Sequence, residues 1–372
     1  MIPYGKQSIN QNDIDAVVKV LRGDWLTTGP AVEKFESDLQ KFTGDVPVVS
    51  VSSGTAALHC AYVAAGIVPG DEVITPPLTF IATQAAAAMC GAKIVFSDVQ
   101  TETGNIDPLQ IEEKITSRTK AIVAVDYAGH PADLDEIRKI CDKHKLLFIE
   151  DASHALGSMY KNKYIGSIAD ITTFSFFPTK NITTGEGGAV ACRDPQTLQK
   201  ARRFARQGLI RDKNEFRITT EGPWHQEIHQ FGLNYRLTDI LAALGSSQLT
   251  RFNEFKSKRK ELFELYSSEL GQNLNLKLPM VKEFVDPFWH LFPIRVPADK
   301  RLRIFNLLRN NGINVQVNYF PVNRQPVFNI NQINECPVAY SFYQSEISLP
   351  IFHDLSEFEL KSISSLLLKN LD

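Results

Sequence analysis

Long apolar runs are missing from this chain: no uninterrupted stretch approaches the roughly 18 residues that a membrane span requires. Net charge is nearly absent too. Forty basic residues against 42 acidic ones leave −2, which argues against nucleic acid or an anionic membrane surface as the main partner. Cysteine is scarce: Cys60, Cys90, Cys141, Cys192 and Cys336 are odd in number and far apart, and the first four fall in helix-like or strand-like segments. Buried reduced thiols are expected, not a disulfide framework or a metal cluster. Internal repeats and low-complexity linkers are also lacking. The first residues, Met1-Ile-Pro-Tyr-Gly-Lys6, carry no apolar signal core, so a cytoplasmic location is expected.

What is present is ordinary globular material: 372 residues, 43% hydrophobic and 22% charged, enough for a large core and a smaller partner unit. From about residue 46 to 192 short apolar strands alternate with helical segments. Strands are expected over 46–51, 71–75, 93–97, 121–126, 146–149 and 171–176, with helices over 55–65 and 82–90. This is the pattern of an α/β layer with a largely parallel sheet. A strand at 189–192, after the Gly185-Glu-Gly-Gly188 turn, is expected to return antiparallel. Beyond Arg236, Leu237, Ile240, Leu241, Leu244, Leu249, Phe252 and Phe255 keep a helical spacing that Leu262, Phe263, Tyr266 and Leu270 continue. One long helix is expected, with a break, if any, in the charged 256–261 stretch. The remainder reads as a smaller α/β unit: strands at 291–296, 314–319 and 347–349, helices at 301–310 and 357–369. The division expected is 1–245 and 246–372.

The chemistry concentrates in Ser175-Phe-Phe-Pro-Thr-Lys180-Asn-Ile-Thr-Thr-Gly185-Glu-Gly-Gly188. The strand before Lys180 is broken by Pro178, and the lysine emerges into a Thr/Gly-rich loop where backbone can approach a ligand closely. Upstream, Leu146-Leu-Phe-Ile-Glu150-Asp151-Ala-Ser-His154 ends an apolar strand in an acidic pair, with Asp151 expected just beyond the strand. A carboxylate at one strand end and a lysine at another, about thirty residues later, suit pyridoxal phosphate, the amine attaching the cofactor and the carboxylate facing its ring nitrogen. Ser52-Ser53-Gly54-Thr55-Ala56 follows a strand and opens a helix, which makes it either a plain cap or a phosphate cradle. Phe80, in Pro76-Pro-Leu-Thr-Phe80, follows another strand end. It suits either a cofactor ring or the core.

These motifs together resemble the DegT/StrS family of sugar-nucleotide aminotransferases, pyridoxal phosphate enzymes of fold type I. The resemblance covers nearly the whole chain: Ile2-Pro-Tyr4-Gly5, Trp25-Leu-Thr27-Thr-Gly29, Ser53-Gly54-Thr55, Glu150-Asp151-Ala-Ser-His154, the 175–188 run, Asn234-Tyr-Arg-Leu and Val317-Asn-Tyr319. It implies a large domain with a mostly parallel mixed sheet between helices, and a smaller C-terminal α/β domain. It further implies that Lys180 and Asp151 are catalytic, and that Ser53, Gly54, Thr55, Phe80, His154, Ser175 and Asn234 also hold pyridoxal 5'-phosphate. Asn234 would serve the neighbouring subunit of a homodimer with shared sites. Substrate contacts would come from Tyr4, Trp25, Leu26, Thr27, Gly29, Val317, Asn318 and Tyr319. His154 stands where many members have glutamine, and Asn318 where many have histidine.

Val125-Asp126-Tyr127-Ala128-Gly129, Ser153 to Ser158 and Glu346-Ile-Ser348-Leu-Pro350 look like the branch serving pseudaminic acid synthesis. That branch moves the amino group of glutamate to C4 of a UDP-linked 4-keto-6-deoxy-N-acetylhexosamine. A 4- or 3-aminotransferase on another UDP- or dTDP-keto sugar is the alternative. A related sugar 3-dehydratase would carry histidine in place of Lys180. A cysteine desulfurase would need a reactive thiol. A non-catalytic regulator would not need Lys180, Asp151 and Ser175 together.

Overall fold

The computed structural model describes residues 1–328 and 335–371. Helices α1 (Gln11–Leu21) and α2 (Pro30–Gln40) come first. A reciprocal Asn10/Asp13 capping box starts the one and a first-turn proline the other. The alternation then begins: β1 (Val48–Val51), α3 (Gly54–Ala64), β2 (Glu72–Thr75), α4 (Ala82–Met89), β3 (Lys93–Phe96), β4 (Thr119–Val125), α5 (Leu134–His144) and β5 (Leu147–Asp151). After a small ribbon, β6 (Met159–Tyr160) and β7 (Lys163–Tyr164), come β8 (Ile171–Ser175) and β9 (Gly188–Cys192). Seven strands make one sheet in the order β1-β9-β8-β5-β4-β2-β3. All are parallel except β9, which is antiparallel to both its neighbours. The mostly parallel mixed sheet and the antiparallel return are both as expected.

Burial on both faces explains why these strands read as nearly unbroken apolar runs. Val49, Val73, Val123 and Ile149 pack with α3 on one side, while Phe35, Ile122, Phe148 and Phe174 fill the other. Truncating any such aromatic to alanine would cost about 3–5 kcal/mol. Because β1, β2, β4, β5 and β8 share one direction, their carboxyl ends collect Ser53, Thr75, Val125, Asp151 and Ser175 along a single edge of the sheet. Crevices at that edge are where ligands bind in such folds.

The chain continues through α6 (Pro195–Phe204), the hairpin β10 (Leu209–Ile210) and β11 (Glu227–Ile228), α7 (Asp239–Thr250) and α8 (Phe252–Leu270). Next come β12 (Val285–Asp286), which pairs with β6, then β13 (Phe292–Arg295), α9 (Arg301–Asn310), α10 (Pro337–Ser345), β14 (Glu346–Leu349) and α11 (Glu357–Leu368). Two expectations need correction, and the expected domain boundary can be located. The long helix is two helices, and the break falls at Arg251 (φ −104°, ψ 14°), not within 256–261. There the guanidinium leaves the helix line to meet Asp13 at 2.7 Å and the Ser8 carbonyl at 2.9 Å. The boundary expected at 245/246 accordingly lies inside α7, a continuous helix. Finally, 314–319 is not a ladder strand. Only Gln316 bridges Ser348, because the Asn318 amide is spent on the Glu346 carboxylate at 2.7 Å and its carbonyl on the Tyr127 hydroxyl at 2.5 Å. The N-terminal arm lies beside this segment, with Ile2 bridging Ile313.

Candidate active site

A cavity of about 630 Å³ opens at the carboxyl edge of the sheet. Asp151 is the last residue of β5, not the first beyond it. Alternation along the strand decides the acidic pair: Asp151 faces the cavity, and Glu150 faces the opposite layer. Glu150 is fully buried and accepts from Thr172 Oγ1 at 2.9 Å; burial raises its pKa to about 7. Asp126 lies near enough for its charge to add to that of Glu150, and burial drives its pKa up as well. These two acids belong to the core of the sheet. Asp151 instead receives two hydroxyls, Thr83 Oγ1 to Oδ2 at 2.7 Å and Ser153 Oγ to Oδ1 at 2.6 Å.

Lys180 reaches the same cavity from the loop after β8. β8 ends at Ser175, before Pro178, and the Lys180 amide closes a turn onto the Phe177 carbonyl at 2.9 Å. Removal from water lowers the ammonium to about 8, with the charge of Asp151 opposing that fall. A substantial share of the amine is therefore neutral, and so nucleophilic, near physiological pH. Arg259 anchors the floor of the loop. It is buried on α8 and donates to the carbonyls of Trp289, His290 and Ile351 at 3.1, 3.2 and 2.9 Å, with a longer contact to Thr179 O at 3.4 Å. Nothing in its sequence neighbourhood distinguished it from a helix-surface arginine.

One end of the cavity has the makings of an anion cradle. Ser53 caps α3 through Ala56 N at 3.0 Å, so the first amides of the helix, Gly54 and Thr55, stand outside the intrahelical ladder beside the cavity. A Cβ on Gly54 would come within 2.8 Å of Ser175 Cβ. Glycine is thus what lets the end of β8 bring the Ser175 hydroxyl against this helix start. Free amides, two small hydroxyls, a lysine with a lowered ammonium pKa and a carboxylate around one cavity fit pyridoxal 5'-phosphate at both of its ends. Phe80 is 58% exposed and forms a wall, which removes the core reading. His154 accepts from Ala128 N on Nδ1 at 3.3 Å, so its proton sits on Nε2, 3.3 Å from the Tyr319 hydroxyl. Burial and the charge of Lys180 keep that imidazole neutral.

On the substrate side Asn318 donates to the Tyr4 hydroxyl at 2.5 Å and to Ser348 Oγ at 3.0 Å, so the N-terminal arm is tied into the site. Tyr319 lies with its ring 6.2 Å from Phe80. Glu346 braces this wall from behind, and burial lifts its carboxyl to about 8. Among the described residues the cavity also takes in Thr79, Thr83, Thr179, Glu186, His290 and Gln316. Thr79, Thr179 and Glu186 lie within the quoted motifs but were not singled out in them, and Thr83, His290 and Gln316 carry no motif. The spacing of Thr79 and Thr83, one helical turn, was the only available signal.

Six expected residues stand outside the chain's own cavity. Val317 is replaced there by its neighbour Gln316. Trp25 and Leu26 are 57% and 49% exposed, and Thr27 bridges Thr238. Gly29 donates to Asp239 Oδ2 at 2.8 Å, and a Cβ there would stand 2.8 Å from Asp239 Oδ1. Asn234 is exposed. Its segment runs beside the end of β1, where Ser52 N donates to Tyr235 O at 2.8 Å. The Thr27–Thr238 bridge joins the exposed 25–28 loop to the chain four residues beyond Asn234. The five cysteines are free thiols, and burial pushes Cys60 to about 12 and Cys90 to about 11, so neither is a ready nucleophile.

The model of the DegT/DnrJ/EryC1/StrS aminotransferase family matches residues 7–367. The UDP-4-amino-4,6-dideoxy-N-acetyl-beta-L-altrosamine transaminase of Campylobacter jejuni (serotype O:23/36) is 35% identical over 380 residues, covering 100% of this chain and 98% of its own. Among solved structures, Helicobacter pylori PseC, an aminotransferase involved in the biosynthesis of pseudoaminic acid, is similar with a TM-score of 0.92. It is 33% identical, with 100% and 99% of the two chains covered. The putative sugar aminotransferase Spr1654 of Streptococcus pneumoniae, solved in a PMP-form, gives 0.92 at 30% identity over 99% and 98%.

Proposed function

The chain belongs to the DegT/DnrJ/EryC1/StrS aminotransferase family, and from that premise we propose its substrates and the roles of its residues. As a sugar aminotransferase of a pyridoxal phosphate-dependent family, it moves the amino group of L-glutamate to C4 of a nucleotide-linked 4-keto-6-deoxy sugar. The sugar proposed is UDP-2-acetamido-2,6-dideoxy-β-L-arabino-hexos-4-ulose, giving UDP-4-amino-4,6-dideoxy-N-acetyl-β-L-altrosamine for pseudaminic acid synthesis. Full-length similarity to the C. jejuni altrosamine transaminase supports the choice of sugar. The observation that carries the chemistry is Lys180, lowered to about 8, sharing one cavity with Asp151.

Pyridoxal phosphate, when bound, supplies an electron sink and a carrier for the amino group. Lys180 Nζ would hold it covalently. Once displaced, the same amine moves a proton away from the glutamate α-carbon and delivers one to C4 of the sugar. Asp151 holds a proton at the ring nitrogen. The Gly54 and Thr55 amides with the Ser53 and Ser175 hydroxyls would bind the cofactor's phosphate, and Phe80 and the Nε2 proton of His154 would contact its ring. Tyr4, Asn318 and Tyr319 orient the sugar and limit water. Asn234 and residues 25–28, all exposed, would complete the site of a second copy. The test is incubation with glutamate and a panel of UDP- and dTDP-linked 4-keto sugars, read by mass. A single aminated UDP-altrosamine product supports the assignment; preferred amination of another sugar or nucleotide overturns it.

A further inference from the structure

We propose that Thr83 is a positioning residue for Asp151, and that the hydroxyl chain from Thr79 through Thr83 sets the plane in which this carboxylate meets its ligand. The proposal rests on the reading of Asp151 as the carboxylate facing the ring nitrogen. An aspartate terminal torsion is soft, with a broad two-fold preference, so the carboxylate plane must be imposed from outside. Oδ1 is held by its own turn, through the Ser153 hydroxyl at 2.6 Å and amide at 3.2 Å. Oδ2 is held by a different element, Thr83 in the first turn of α4, at 2.7 Å.

The direction of the chain follows from proton count. A carboxylate only accepts, so the single Thr83 proton goes to Asp151. The Thr79–Thr83 contact at 3.0 Å must then be donated by Thr79. Each bond polarises the next, and the last is charge-assisted. Both threonines are buried, and the Thr83 carbonyl is itself fixed by the Tyr62 hydroxyl at 2.8 Å. The Thr83 hydroxyl also lies 3.3 Å from the Phe80 carbonyl, an ordinary helix-start contact. That contact alone would make Thr83 a contributor to stability and nothing more.

Apoprotein is titrated with pyridoxal phosphate and with its analogue carrying CH in place of the ring nitrogen. Covalent attachment and phosphate binding are common to both, so the ratio of affinities isolates the contact to Asp151. Wild type should prefer the nitrogen ring, and Asp151→Asn should lose that preference. Thr83→Val should lose about tenfold of it, the scale of one hydrogen bond to a charged group, and Thr83→Ser should restore it. Thermal melts report folding; if Thr83→Val does not fold, Thr79→Val, which keeps the last bond but removes its donor, should still lose severalfold. If Asp151→Asn abolishes the preference while the folded valine variants keep it, Thr83 is merely structural and the inference falls. If wild type itself shows no preference, the reading of Asp151 falls, and the inference with it.

Discussion

Two adjacent carboxylates, Glu150 and Asp151, show how one peptide unit separates a core residue from a chemical one. Both were legible as a strand-ending acidic pair, but the pair alone did not say which faces the ligand. The last two positions of β5 did, since side chains alternate. Asp151→Asn should therefore still capture the cofactor, at lower affinity, yet lower turnover by about 10² or more, measured at saturating cofactor by steady-state release of 2-oxoglutarate. The same loss in Glu150→Gln, with Asp151→Asn unaffected, would reverse the assignment. Lys180 supplies a pH test. Its pKa is lowered, so its neutral fraction grows as pH rises, is half at about 8 and is nearly complete about a unit higher. Stopped-flow capture of pyridoxal phosphate by apoprotein should accelerate with pH and level off just above that value. A rate still climbing toward pH 10 would mean an ordinary solvated lysine.

At the scale of elements, apolar periodicity located the strands and the C-terminal helices, because burial on both sheet faces writes itself into composition. It failed where side chains compete with backbone ladders. Residues 314–319 alternate like a strand, yet Glu346 takes the Asn318 amide, and no local pattern announces a partner so distant in sequence. Glu346 also leaves a stability signature. Its folded pKa is raised from an ordinary 4.5 to about 8, so the native state holds a proton that the unfolded chain loses. Stability from this group is complete below pH 4.5 and is lost as pH rises toward 8. Relative to Glu346→Gln, wild type should weaken across that window in urea titrations. The helix break at Arg251 was equally hidden. Asp13 there receives Ser247 Oγ at 2.6 Å, Gln248 Nε2 at 2.8 Å and Arg251 Nη2 at 2.7 Å, which ties α1 to the joint. Asp13→Ala, by leaving that guanidinium unpaired, should cost about 3 kcal/mol, read as a lower urea midpoint at unchanged slope.

For the whole molecule, the cavity edge follows from strand direction, and the residues outside it say as much as those within. The lysine loop, the acidic strand end and the cradle were readable because each sits at a strand terminus with distinctive residue types. The bracing threonines, Arg259 and Glu346 were not, because their roles exist only once distant segments meet. Asn234 and residues 25–28 are exposed, as residues offered to a second copy across a two-fold would be. Mixing inactive Lys180→Ala with weakened Asn234→Ala protein should restore activity if Asn234 serves the partner's site, since about half the sites in each heterodimer then carry neither change. Demonstrated subunit exchange without recovery would return Asn234 to its own chain. The most direct test of the central claim follows the nitrogen itself. Holoenzyme is given ¹⁵N-glutamate and the UDP-linked 4-keto sugar, and both products are weighed. Wild type should yield aminated sugar carrying the label, matched one for one by 2-oxoglutarate, and Lys180→Ala should yield neither. Labelled product from Lys180→Ala at the wild-type rate would contradict the account.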